Sequence, residues 1–475
     1  MKRNESSSEE KAVIIKEALR WVHENKGTCV TKGGYASPRV SSEIMDCSMP
    51  MTFDQYNFCS LGCLYCFAYF FKSNNPAITD LQLRSVNADR LIASMKGEGK
   101  KPSNMYRHFF KRRFLFHWGG LADPFCAFEK TNSEGYKIIK YLAKDNYPTL
   151  FSFKGSTVLE PKYLEIWKKY RKQRNFAFQV SIITSDNDLA KKVEVGVQSP
   201  DERLHAMKVL SDLGYWTILR LRPFIIGITD PTLEDLLEKA KNAGAKGIST
   251  EFFAMDGRCN DGMRTRYDYL AKQMGLKDAK ELQKHYHKLS PSERGGYMRL
   301  NRNVKEPYIK TLYKFCVEND MVLGISDPDF KELNMTGSCC AMPDDYPPNR
   351  GLQNWTRNQL TYHLKEARRN WHKTGERQFL YFSKVYDDES YFDDPAISQD
   401  HVSVIGRCNA ERKLITYRGI IQEHWNNLRS YANPRNYFHG KIMPCGVDKN
   451  GNMIYEYIES DYERRWKKEG IDLTK

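Results

Sequence analysis

This 475-residue sequence contains no apolar run approaching the ~18 residues that a membrane-spanning helix requires. Its first residues, MKRNESSSEEKAV, are basic and polar with no apolar core, which excludes a secretory leader. The protein is therefore expected to stay in the cytoplasm that makes it, the host's if the chain is viral. No low-complexity tract and no repeat of solenoid length is present. Acidic residues are in deficit, 59 Asp and Glu against 74 Lys and Arg, a net charge of +15. A surplus of that size favours a polyanionic partner, because Lys and Arg neutralise phosphates and release counterions. What the chain has in quantity is core material: 40% hydrophobic and 13% aromatic residues exclude global disorder. It also has twelve cysteines, and without an export signal these are expected to be thiols or metal ligands rather than disulfides.

From about residue 48 short β-branched or aromatic runs alternate with amphipathic stretches. RRFLFHWGG (112–120) reads as a strand and SEGYKIIKYLAKD (133–145) as the helix after it. TLFSFKG (149–155), FAFQVSII (176–183), WTILRLRPFII (216–226) and GISTEFFAM (247–255) are further strands. Helices are predicted between them, over 161–173, 199–214 and 230–244. Ser199 with Glu202 makes a capping box, and Gly214 suits the exit of the same helix. Repeated β-then-α units predict an α/β fold with a parallel sheet, since parallel neighbours need long crossovers. An open doubly wound sheet and a barrel share this pattern, and both place chemistry at the C-terminal strand ends. Residues 257–305 read as a charged helical element, VKEPYIKTLYKFCVEND and MVLGIS as a last helix and strand, and 336–475 as a basic C-terminal region. An N-terminal extension over 1–45 carries one helix, KAVIIKEALRWVHEN.

Three cysteines stand together in FDQYNFCSLGCLYCFAYFF: Cys59, Cys63 and Cys66. Twelve cysteines scattered at random would give this spacing about 0.008 times per chain. Three thiolates on one loop can hold three corners of an iron–sulfur cluster or most of a zinc site. The nearest further thiols are Cys47 and Cys126. Three ligands opening an α/β alternation fit a [4Fe–4S] cluster with one iron left open.

Cys-x3-Cys-x2-Cys with the aromatic Tyr65 before the third cysteine resembles the signature of the radical S-adenosylmethionine (SAM) enzymes. The resemblance implies a partial (β/α)6 TIM-type barrel over 46–335, with a helical insertion and a C-terminal extension. It also implies a [4Fe–4S] cluster on Cys59, Cys63 and Cys66, with SAM chelating the fourth iron. Reductive cleavage would then yield a 5′-deoxyadenosyl radical that abstracts hydrogen from an unactivated carbon. A reductant such as flavodoxin or ferredoxin is implied as partner. Gly119 and Gly120, in HWGGLADPF, fall where the family contacts the SAM amino group, although Leu121 replaces the usual acidic residue. Asp123-Pro124, FSFKGS and VSIITSDNDLA resemble a narrower group, the spore photoproduct lyase-like proteins. By carry-over Lys154 would meet the SAM carboxylate and Ser181 its ribose or methionine end.

Plainer readings stand beside these. Gly119 and Gly120 also suit a strand-ending turn, Lys154 a snorkelling lysine, and Ser181 an ordinary strand serine. Arg220 and Arg222 alternate with leucines and so share one face of their strand. Such a pair calls for anions: a SAM carboxylate, a substrate phosphate, or salt bridges to Glu194 or Glu251. Cys126 is either a hydrogen donor to a substrate radical or a buried small residue. Cys339, Cys340, Cys408 and Cys445 could hold a second metal. Basic, aromatic stretches at 99–113, 361–377 and 462–470 suit phosphates and unstacked bases. The leading expectation is a radical SAM enzyme of isomerase or lyase type acting on DNA, at a thymine-derived base. Lesion repair and rearrangement of a hypermodified, amino-acid-bearing thymidine both fall within it. A peptide or small-metabolite substrate, and a zinc-stabilised nucleic-acid-binding protein without catalysis, are the alternatives.

Overall fold

A computed structural model gives the fold. It describes residues 31–32, 38–40, 47, 51–57, 59–68, 83–98, 110–111, 113–257, 261–289, 293–294, 297–345, 360–386 and 417–475. The helix expected at 11–25, most of the basic stretch 99–113, and Cys408 lie outside the described residues. Among the described residues no helix is long and apolar enough to cross a membrane.

The centre is an eight-stranded sheet. Seven strands are parallel: β1 (Met51–Phe53), β2 (Phe116–Trp118), β3 (Thr149–Phe153), β4 (Phe176–Ser181), β5 (Trp216–Phe224), β6 (Gly247–Phe252) and β7 (Val322–Ile325). Arg39–Val40 adds an antiparallel edge beside β1. Strand order follows chain order without reversal. Right-handed crossovers that always step the same way leave their helices on one face, which is the winding of a barrel wall rather than of a doubly wound sheet. The alternation in the sequence left those two open, and the strand order decides between them.

Four helices match the predicted segments closely, α2 (Glu134–Lys144), α3 (Pro161–Tyr170), α5 (Pro200–Asp212) and α6 (Leu233–Asn242), while α1 (Ala88–Met95) and α4 (Asn187–Val193) were not predicted. The α5 start carries the expected box, Ser199 Oγ accepting from the Glu202 amide while the Glu202 carboxylate accepts from the Ser199 amide. The outer sheet face is aromatic. Phe151 and Phe178 stack at 5.4 Å, and Trp167 of α3 meets Phe178 edge-on at 5.2 Å. All three are fully buried, each worth about 2–3 kcal/mol against exposure.

The inner face is layered. At the N-terminal end Leu150, Ala177 and Ile218 form an apolar floor with Cys340, Ala341 and Met342 of the GSCCAMP segment. Above it runs a polar ladder: His117 Nε2 lies 2.8 Å from Ser152 Oγ, which donates to Gln179 Oε1 at 2.6 Å. Gln179 in turn donates to the Cys340 carbonyl at 2.9 Å. The segment 338–342 therefore fills the lower interior, and the space above it, at the C-terminal strand ends, stays open.

Residues 257–305 supply α7 (Asp261–Gln273) and α8 (Ala279–Leu289), and α9 (Arg302–Glu318) leads into β7. The C-terminal region is folded where described. It comprises α10 (Leu360–Thr374), the antiparallel strands β8 (Phe379–Tyr381), β9 (Ile442–Val447) and β10 (Met453–Tyr457), with α11 (Tyr417–Asn426) and α12 (Asp461–Lys468). Three of its basic residues, Lys365, Arg368 and Lys441, are buried, and others are paired with carboxylates. Lys365 is buried against Asp344 at 2.6 Å, and buried Arg368 donates to Tyr313 Oη at 2.8 Å. Arg465 pairs with Glu306 at 2.6 Å. Charge counting cannot separate such residues from a phosphate-binding face.

Candidate functional site

The open end of the barrel holds a cavity of about 500 Å³. Every site residue expected from the sequence lines it: Cys59, Cys63, Tyr65 and Cys66 from the loop after β1, Gly119 and Gly120 after β2, Lys154 after β3, and Ser181 at the end of β4. Arg220, Arg222 and Glu251 complete the inner wall. Six strand ends thus bring together residues up to 192 positions apart in the chain, from Cys59 to Glu251.

The cysteine loop is held by its backbone. Leu64 N–H donates to the Val193 carbonyl at 2.9 Å, Gly196 N–H to the Leu61 carbonyl at 2.9 Å, and Arg266 of α7 to the Cys63 carbonyl at 2.8 Å. Tethering through the main chain leaves the sulfurs to the cavity side. A hydrogen bond with Cys126 and then burial push the Cys59 thiol well up. Burial pushes Cys63 up as well, the nearby Lys154 opposing it. A thiol raised by burial is one that a metal centre deprotonates and neutralises, since coordination removes the cost of a bare thiolate. Among the described residues no three His, Cys, Asp or Glu side chains converge as ligands of one ion. A cubane uses a separate iron for each thiolate and asks for no such convergence.

Cys126 is fully buried behind Cys59 and does not line the cavity. Cys339 and Cys340 lie in the segment filling the barrel interior, and Cys445 is exposed on β9.

The buried carboxylate of Glu194 organises the far wall. It stands 2.9 Å from Lys154 Nζ and 2.6 Å from Arg203 Nη2, and it accepts a short hydrogen bond from Tyr65 Oη. Burial alone would raise its carboxyl, but the Arg203 guanidinium and then the Lys154 ammonium hold it down at about 2. Arg203 also donates to the Ser181 carbonyl at 2.6 Å, fixing the end of β4. Glu194 was expected as a partner of Arg220 or Arg222 if it served as a salt bridge; it serves Lys154 and Arg203 instead. Lys154 Nζ is buried between this carboxylate and the Tyr65 ring, 5.4 Å from the ring centroid.

Asp123 is the second organiser. Its carboxylate accepts from the amides of Phe125 at 2.8 Å and Gly155 at 3.1 Å, and from that of Lys154, so it shapes the turn that presents Lys154. Burial raises its carboxyl to about 6, against those amides. Two glycines permit the close approach. A Cβ on Gly119, whose φ is +104°, would lie 2.1 Å from the Ser152 carbonyl oxygen, and one on Gly155 would lie 2.1 Å from that of Phe125. Where the family has an acidic side chain, Leu121 offers only its amide, which donates to Asp54 at 2.8 Å.

These features fit the expected groups on the structure's own terms. Three thiols face one space, a buried ammonium paired with Glu194 adjoins them, and the Gly119-Gly120 turn lines the same cavity. Sequence reasoning missed Arg203 and Arg266 and the organising part played by Glu194. Neither arginine carries a local motif; each acts on a residue 9 or more positions away, across the fold.

No family model matches the chain. Uncharacterized proteins of Mycobacterium tuberculosis and Mycobacterium bovis are 27% identical over 203 residues, 42% of this chain and 57% of theirs, so the match spans little more than half of those relatives. Among solved structures, a spore photoproduct lyase variant with bound AdoMet and dinucleoside spore photoproduct superposes with a TM-score of 0.44 at 16% identity, covering 63% of this chain and 82% of that one. SuiB of Streptococcus suis bound to S-adenosylmethionine gives 0.36 at 12% identity, covering 58% and 49%. The chain resembles the radical SAM enzymes. Likeness at this level describes the arrangement of the chain, and the cysteine motif and the cavity carry the chemistry.

Proposed function

We propose that this protein is a radical SAM enzyme that abstracts a hydrogen atom from a nucleic-acid substrate, at a thymine-derived base in DNA. The observation that carries the reading is the convergence of Cys59, Cys63, Cys66, Tyr65, Gly119, Gly120, Lys154 and Ser181 on one cavity at the C-terminal strand ends. The three cysteines were named from their spacing in the sequence, and the other five residues from the family resemblance. When bound, a [4Fe–4S] cluster with SAM supplies the reductive cleavage that produces a 5′-deoxyadenosyl radical.

The chain's own residues would then do four things. Cys59, Cys63 and Cys66 hold the cluster at three corners. Lys154, held in place by Glu194, meets a carboxylate. The Gly119-Gly120 turn admits an amino group close to the backbone. The aromatic and apolar walls, including Phe153, Phe252 and Phe253, exclude water from a reactive intermediate. A net charge of +15 supports a polyanionic substrate. An enzyme working on duplex DNA must extrude its base or use single strands.

The test is to incubate reconstituted protein with SAM, a reductant and DNA carrying irradiated or substituted thymine, and to analyse nucleosides by mass. Deuterium passing from the substrate into 5′-deoxyadenosine is the expected result, with DNA affinity falling steeply as salt rises. SAM cleavage with weak, salt-indifferent DNA binding would move the substrate to a peptide or small metabolite.

A further inference from the structure

The cavity has more cationic equipment than SAM needs. Lys154 and Ser181 already answer for one carboxylate. On the same wall, Arg220 level with Ser181 and Arg222 nearer the mouth are successive inward-facing residues of β5. Neither forms an ion pair with a carboxylate among the described residues. Arg220 reaches only Ser181 Oγ, at 3.4 Å. Arg222 is oriented by the barrel-filling segment: Nη2 donates to the Cys339 carbonyl at 2.5 Å and Nη1 lies 4.0 Å from Cys340 Sγ. The Nε–H of each arginine is buried without a partner. Two guanidiniums side by side repel; Glu251 and the Cys339 and Cys340 sulfurs offset part of that repulsion, and the two buried Nε–H groups stay open to a further acceptor. Beside them on β6, Glu251 lines the cavity, and it is paired with Arg299 on the rim at 3.9 Å. A phosphate fits that surrounding poorly, because Glu251 would repel a dianion. A carboxylate with a neighbouring ammonium fits it, the carboxylate on the arginines and the ammonium toward Glu251.

We infer that Arg220, Arg222 and Glu251 form a second zwitterion cradle, and that the substrate presents to it the carboxylate and amine of an amino-acid substituent. The inference rests on the radical SAM reading and narrows its substrate: the base would be a substituted thymine rather than an unadorned lesion. Carboxylate is also the chemistry of SAM's methionine end, so the experiment separates the two sources.

The probes are SAM, 5-[(carboxymethylamino)methyl]-2′-deoxyuridine, and the matching nucleoside with ethylamine in place of glycine, in which a methyl group replaces the carboxylate. Binding is measured by calorimetry on the anaerobically reconstituted full-length protein, in wild type and in Arg222→Gln and Arg222→Lys, with melting temperature recorded for each. Wild type should prefer the carboxylate nucleoside by tenfold or more. Arg222→Gln should abolish that preference, with SAM affinity changed less than twofold, and Arg222→Lys should restore part of it. Loss of SAM affinity with the preference intact would hand the cradle to SAM and overturn the inference. Equal binding of both nucleosides by wild type would overturn it outright. A third arm uses a trinucleotide containing each base. If the nucleosides are discriminated but the trinucleotides bind no better, the DNA reading fails and the cradle stands. If Arg222→Gln weakens both trinucleotides equally, the arginines read phosphate and the cradle falls.

Discussion

Replacing Glu194 with Gln removes the charge that holds Lys154 at 2.9 Å and Arg203 at 2.6 Å, while keeping the shape of the side chain. Glu194 is 1% exposed and Arg203 1%, so the two cations left behind have little water to turn to. Breaking a buried pair by removing one partner costs about 3–5 kcal/mol. Linkage gives a consistent figure. A carboxyl held at about 2 in the folded protein and at its ordinary 4.5 in the unfolded chain contributes roughly 3 kcal/mol at neutral pH. The folded value is the lower one. That stability is therefore complete above about pH 4.5 and is lost as pH falls toward 2. Urea unfolding of wild type and Glu194→Gln, followed by tryptophan fluorescence, should separate the two by about 3 kcal/mol at pH 7. The gap should be smaller by more than 1 kcal/mol at pH 3.5. SAM affinity should fall in the variant as well, because Lys154 and Tyr65 lose their common anchor. A variant within 1 kcal/mol of wild type at pH 7, or a gap that does not narrow in acid, would refute the reasoning.

Three further outcomes follow from the same geometry. Gly119→Ala would force a Cβ to 2.1 Å from the Ser152 carbonyl at a φ of +104°, so β2 and β3 must part; thermal melting should show a loss of about 1–3 kcal/mol together with weakened SAM binding. Lys154→Met should leave iron content intact but lower SAM affinity at least tenfold by calorimetry, and it should raise the carboxyl of Glu194, which infrared spectroscopy of the buried acid reports. Arg368→Met, in which a buried side chain loses its bond to Tyr313, should lower melting temperature without changing the slope of DNA affinity against salt, since Arg368 is packed inside and meets no phosphate.

Much of the barrel was legible because its signals are local. The Ser199–Glu202 box, Pro161 at a helix start and the inward parity of Arg220 and Arg222 each depend on residues within a few positions of one another. Strand β1 was not read, because three residues carry too little periodicity to stand out from the loop that follows. The Glu194 network was not read because its partners lie 40 residues upstream at Lys154, 129 upstream at Tyr65 and 9 downstream at Arg203. Only the fold makes them neighbours. The run around 361–377 shows the opposite failure. Its basic composition suggests a solvated face, yet Lys365 and Arg368 are among the buried residues of α10, matched by Asp344 and Tyr313 from elsewhere in the chain. Composition reports charge, and burial decides what the charge does.

The account is tested most directly by anaerobic reconstitution of the protein, followed by iron and sulfide analysis and a SAM cleavage assay under a strong reductant. It predicts about four irons and four sulfides per chain, release of 5′-deoxyadenosine, and loss of that release when Cys59, Cys63 or Cys66 is replaced by Ala. A protein that binds zinc in place of iron, or one that cleaves SAM undiminished with any of the three cysteines removed, would contradict it.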